Sequence, residues 1–87
     1  MHRYTVLAAN PEGALVALVD DLGRHHVAKA IASAAPALGL VLVGEPPAVG
    51  LKVLKVADGE DSCTLCMTLL DCAPQAAVLV VTGLRAS

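Results

Sequence analysis

The chain has 87 residues, of which 56% are hydrophobic and only 16% charged, and its formal net charge is −2. That balance excludes a disordered tail, which needs low hydrophobicity and high net charge, and it supplies one hydrophobic core rather than two, so residues 1–87 are read as a single domain. Six basic residues, Arg3, Arg24, Lys29, Lys52, Lys55 and Arg85, are scattered along the chain, and Tyr4 is the only aromatic. Nucleic acid is therefore not an expected partner, because duplex binding needs clustered cations and single strands need stacking platforms.

Arg3 to Ala9 is a short β-prone run stopped by Asn10-Pro11-Glu12-Gly13, which predicts a strand entering a turn. The next stretch, 14–35, carries two patterns. As a helix, Asn10 caps it, Pro11 opens it, and Leu15, Leu18, Val19 and Leu22 share a face, followed past Gly23 by Val27, Ala30, Ile31 and Ala34. As a hairpin, Ala14 to Val19 turns through Asp20-Asp21-Leu22-Gly23 into Arg24 to Ala30.

Leu40 to Val43 and Leu51 to Val56 read as two strands of a hairpin joined by the proline-bearing Gly44 to Gly50, with the facing of the second strand open. Pro36-Ala37-Leu38-Gly39-Leu40 and Pro47-Ala48-Val49-Gly50-Leu51 repeat one device, in which Pro fixes φ and Gly permits positive φ before a strand. Residues 58–73 again fit both periods. A helix capped near Asp61 or Ser62 gathers Cys63, Cys66, Met67, Leu69, Leu70 and Ala73, whereas a strand sets Cys63, Leu65, Met67 and Leu69 against Thr64, Cys66, Thr68 and Leu70. Ala76 to Thr82 reads as a buried strand.

The helical choice in both ambiguous stretches gives βαββαβ, a ferredoxin-like two-layer α/β sandwich. The strand choice gives a small all-β barrel of the SH3 or OB type. The alanine-rich 28–35 tips the expectation toward the sandwich.

Cys63-Thr64-Leu65-Cys66 is the pattern with most chemical content. At a helix N-terminus both thiols would face one way, and this arrangement resembles the dithiol motif of the thioredoxin family; on a strand the sulfurs would point to opposite faces and could not pair. Asp58, Glu60 and Asp61 nearby oppose thiolate formation, and buried free cysteines commonly pack as small hydrophobes. A metal site would have to recruit Cys72, His2, His25 or His26, none at a structural zinc spacing. Adjacent His25 and His26 are expected on a solvated surface, and Asp20-Asp21 as caps or solvent-facing charge. Asn10-Pro11-Glu12-Gly13-Ala14-Leu15 is similar to the first loop of ACT-type regulatory domains, with Glu12 standing between that family's Pro and Gly; the resemblance implies a βαββαβ fold, dimers and small-ligand binding at the loop.

Glycine spacing matches no phosphate-binding loop, and no nucleophile and base sit at workable spacing. The expectation is a non-enzymatic domain with no catalytic residues, metal or cofactor. It would bind a protein partner or small ligand, as a homodimer or docked on another protein through an open apolar surface. The alternative is a thiol-disulfide or metal-binding protein using Cys63 and Cys66. With no run long enough for a membrane helix, no leader-like segment and an odd cysteine count, the cytoplasm is the expected compartment and a membrane is not an expected partner.

Overall fold

The structure, a computed structural model, describes residues 2–10, 14–31 and 36–82. Its elements are β1 (His2–Asn10), β2 (Leu15–Asp20), β3 (His25–Ala30), β4 (Val41–Gly44), β5 (Gly50–Val56), β6 (Ser62–Cys72) and α1 (Pro74–Thr82). Two antiparallel meanders, β1-β2-β3 and β4-β5-β6, meet twice, β3 against β6 and β4 against β1, and so close a six-stranded barrel in the order β1-β2-β3-β6-β5-β4. Closure removes the free edges that an open sheet of such apolar strands would expose.

The barrel is filled by its own side chains. Tyr4 and Val6 of β1, Leu18 of β2, Leu42 of β4, Leu54 of β5, and Leu65 and Met67 of β6 are all buried in one cluster. Each large aliphatic contributes about 1.5–3 kcal/mol when taken out of water. Outside the barrel, α1 lies across β1, β2 and β3 and buries Ala77 and Val81 on Ala8, Ala17 and Val27. Small residues on both sides bring the helix close to the sheet. Gly44 at the end of β4 leaves room for the Leu54 side chain, whose terminal methyl would have to shift to admit a Cβ there.

The expected ferredoxin-like sandwich is overturned: the chain is a closed antiparallel barrel with one short helix, the all-β alternative. Residues 15–30 form the β2–β3 hairpin instead of a helix. Val16, Leu18, Ala28 and Ala30 point into the barrel while Ala17 and Val27 point under α1, so both faces are apolar and the run mimics a helical stripe. Residues 62–72 are β6, whose register against β3 slips between His25 and Val27 and again between Val27 and Ala28. Those bulges break its two-residue period, and Asp71 takes a left-handed φ of 51° at the first of them. The C-terminal run read as a strand is instead α1, opened by Pro74. Of the ACT-like loop, residues 11–13 lie outside the described residues, and Leu15 enters a strand where that family has a helix. The repeated turn device holds at both glycines, Gly39 with φ 81° and Gly50 with φ 118°, each leading into a strand.

Candidate functional site

One mouth of the barrel gathers a connected set of polar and charged side chains. The β2–β3 turn brings Asp20 back over Leu22 and Arg24, as the Asp20-to-Gly23 sequence requires of a tight hairpin: Oδ1 accepts from the Leu22 and Arg24 amides, both at 2.9 Å. Its Oδ2 accepts from Arg24 Nε and from His26 Nε2, again at 2.9 Å. The Asp71 amide donates to His26 Nδ1 at 3.0 Å, so Nε2 is the nitrogen that carries the proton given to Asp20. His26 is buried and stands edge-on to the Tyr4 ring, with centroids 6.2 Å apart. Tyr4 Oη donates to the Glu45 carbonyl at 2.7 Å. At the rim His2 meets Asp21 at 3.2 Å and Lys52 meets Glu45 at 3.1 Å.

Burial alone would raise the Asp20 pKa, but the hydrogen bonds from His26, the Arg24 and Leu22 amides and the Arg24 side chain outweigh it and hold the carboxyl at about 2. Burial, and after it the Asp20 charge, pushes Tyr4 up to about 12. These groups are spent on one another. Both His26 nitrogens and both Asp20 oxygens are engaged within the chain, so the constellation ties the β2–β3 turn to the β6 bulge.

The cysteines do not assemble. Cys63 lies opposite buried Leu54 and packs against the barrel core, whereas Cys66 lies opposite exposed Leu51 on the outer wall, so the two thiols face opposite sides of β6. Burial, reinforced by the Asp61 charge, raises the Cys63 thiol above its ordinary value. Cys72 Sγ donates to the His25 carbonyl at 3.4 Å. Among the described residues no group of three His, Cys, Asp or Glu side chains could hold a metal ion, and no helix is long and apolar enough to cross a membrane.

The outer wall opposite α1 is bare. Leu51 and Val53 of β5 are 66% and 63% exposed, and Val49 just before them is 71% exposed. Strand register extends the surface sideways: Leu51 pairs with Cys66, Cys66 with Lys29, and Val53 with Thr64. Lys29 and Lys55 bound this strip, both exposed, and with Lys52 they are all the lysines of the chain. Exposed Val78 and Leu79 of α1, with Pro74 and Gln75, line an open apolar concavity.

Sequence reasoning placed His26 on a solvated surface and read Asp20 as a cap or solvent-facing charge; Asp20 does cap the turn amides, but both residues are buried. The signal that could have found them is the alternation His26, Ala28, Ala30 along the hairpin reading, which sets all three on one inner face. The exposed Leu51 and Val53 belong to a run whose facing the sequence left open. No family model matches the chain, and neither does any curated protein or solved structure.

Proposed function

We propose that the chain is a non-catalytic docking domain that holds a protein partner against the outer wall of β5 and β6. The observation that carries this reading is the pair of exposed aliphatic side chains, Leu51 and Val53, with exposed Val49 just before the strand, on a wall that no other element of the described chain covers, while α1 covers the opposite one. Exposed aliphatics in such a row lose free energy to water that a partner recovers. A small ligand is supported less well, because side chains fill the barrel interior and the polar groups at its mouth are paired with each other. Lys29 and Lys55 make no ion pair among the described residues, which favours an acid-flanked partner over a second copy carrying the same cationic rim.

The test is site-specific photocrosslinking in the cells that express the protein. A benzoylphenylalanine at Val53 is expected to give one discrete adduct, and one at Glu60, in the turn beyond the wall, is expected to give none. Equal labelling at both positions, or no adduct at Val53, rejects the reading. Sedimentation of the isolated chain identifies the occupant: a species of 8.8 kDa leaves the wall to another protein, and twice that mass assigns it to a second copy.

A further inference from the structure

β5 has the sequence of a strand buried on both faces, yet among the described residues only one face is covered. Inward it sets Leu54 in the core, with Val56 packed against it, and outward it sets Leu51 and Val53. β2, the middle strand of the other meander, is apolar on both faces too. Val16 and Leu18 point inward and Ala17 outward, and there α1 supplies the second cover. In the barrel order β1-β2-β3-β6-β5-β4 the two middle strands lie three places apart in either direction, so the bare wall is diametrically opposite α1. The neighbours of β5 continue the wall: Val41 and Val43 of β4 flank the buried Leu42, and Thr64 and Cys66 of β6 stand beside Val53 and Leu51. Cations frame it. Val43 lies between Arg3 and Lys55, and Cys66 between Leu51 and Lys29. All three cations are exposed and make no ion pair among the described residues.

We infer that the partner lays an amphipathic helix on this wall, with an apolar stripe over Leu51 and Val53 and carboxylates beside the stripe facing Arg3, Lys29 and Lys55. The inference rests on the β5 wall being the docking surface. An added strand has no edge to join, because Gly44 already lies against the Val53 carbonyl and the connection from Glu45 has to return along that edge to Gly50. What remains is the face, and a sheet face is covered by a helix or by a second sheet. On the matching wall this chain uses a helix: Ala77 and Val81, one turn apart in α1, rest on Ala8, Ala17 and Val27. A helix with apolar residues at i, i+3, i+4 and i+7 offers one such stripe, and its flanks carry Asp or Glu to the cations at the border of the wall. A second copy fits less well. Its α1, Pro74–Thr82, has no charged residue, and its β5 wall carries the same cations, so neither brings a carboxylate to Arg3, Lys29 or Lys55.

The experiment places benzoylphenylalanine at Leu51 and at Val53 of the intact chain, one at a time, and maps each adduct on the partner by mass spectrometry of the digested complex. The labelled partner residues are expected at i, i+3, i+4 and i+7 of one segment, with Asp or Glu among the residues between them. Lys29→Glu combined with Lys55→Glu, checked for an unchanged circular dichroism spectrum, is expected to cut the adduct yield at Val53 by about tenfold or more. Labels on every second residue of a segment, or scattered over several segments, overturn the helix and leave the docking reading standing. A yield that survives the charge reversal in the folded variant overturns the acidic flank. An adduct with lipid in place of protein, or none at Val53, overturns the helix and the docking reading together.

Discussion

Asp20→Asn puts the polar lock to its hardest test, because it changes one atom and leaves the shape. The asparagine oxygen can replace Oδ1 and keep the Leu22 and Arg24 amides, but its NH2 group then faces two donors, Arg24 Nε and His26 Nε2. Flipping the amide moves the conflict onto the backbone donors. Shifting the proton of His26 to Nδ1 moves it to the Asp71 amide. A donor facing a donor therefore remains in every arrangement. The carboxyl is held at about 2 against an ordinary 3.8, and the side chain is fully buried. At about 1.4 kcal/mol per pKa unit, the charged form stabilises the fold by roughly 2.5 kcal/mol. That is a large share of the roughly 4–13 kcal/mol expected of a domain this size, and by the usual scaling it corresponds to about 10–20 °C in Tm. The folded pKa is depressed, so this stability is fully present above about pH 5 and is lost as pH falls through 3.8 toward 2. Urea unfolding followed by Tyr4 fluorescence, run from pH 7 to pH 2, measures both quantities. An Asp20→Asn protein within about 0.5 kcal/mol of the parent, or one with the same acid-induced loss, would refute the lock.

Other predictions rest on single contacts. Tyr4 should titrate near 12 rather than 10 in the folded chain, and because its folded pKa is raised, stability should fall as pH climbs through that interval; phenolate absorbance alongside circular dichroism follows both. Tyr4→Phe, which loses the bond to the Glu45 carbonyl, should cost about 0.5–1.5 kcal/mol in denaturant unfolding. Gly44→Ala forces a methyl into Leu54 and should destabilise by about 1–3 kcal/mol, read as a lower urea midpoint with unchanged slope. Cys63 should be labelled by a disulfide reagent only at higher pH than an unperturbed thiol, since burial and Asp61 oppose its thiolate, and mass mapping of the labelled peptides detects this.

The strands bounded by clear turn residues were legible. Arg3 to Ala9 and the two runs flanking the proline loop appear in the structure within a residue or two of where the sequence places them. Ambiguity arose where a strand is buried twice, as in β2 and β3, because α1 supplies a second apolar environment outside the barrel and erases the polar half of the alternation. β6 was obscured for a different reason: a bulge adds a residue without a sequence mark, and two bulges in a short span shift the inner set from Leu65 and Met67 to Leu70. The C-terminal helix reverses β propensity. Val78 and Val81 favour strands, yet Ala77 fits against Ala8 and Ala17 only when a helix brings it there.

The buried Asp20 and His26 were missed because charge was weighed residue by residue. An aspartate before Asp-Leu-Gly reads as a turn residue, and so it is, since its Oδ1 caps the turn amides. What composition cannot register is that the same turn sets the other oxygen beside a histidine six residues on, pointing inward by strand alternation. Once the hairpin is accepted the pair follows, because a buried imidazole needs partners at both nitrogens and the chain offers Asp20 on one side and the Asp71 amide at the bulge on the other. The left-handed Asp71 is then the geometry that aims an amide inward, and a substitution that straightens β6 there should unsettle His26 as well as the strand. Asp20 and His26 thus hold the β2–β3 turn to the β6 bulge, each through partners at both of its side-chain heteroatoms.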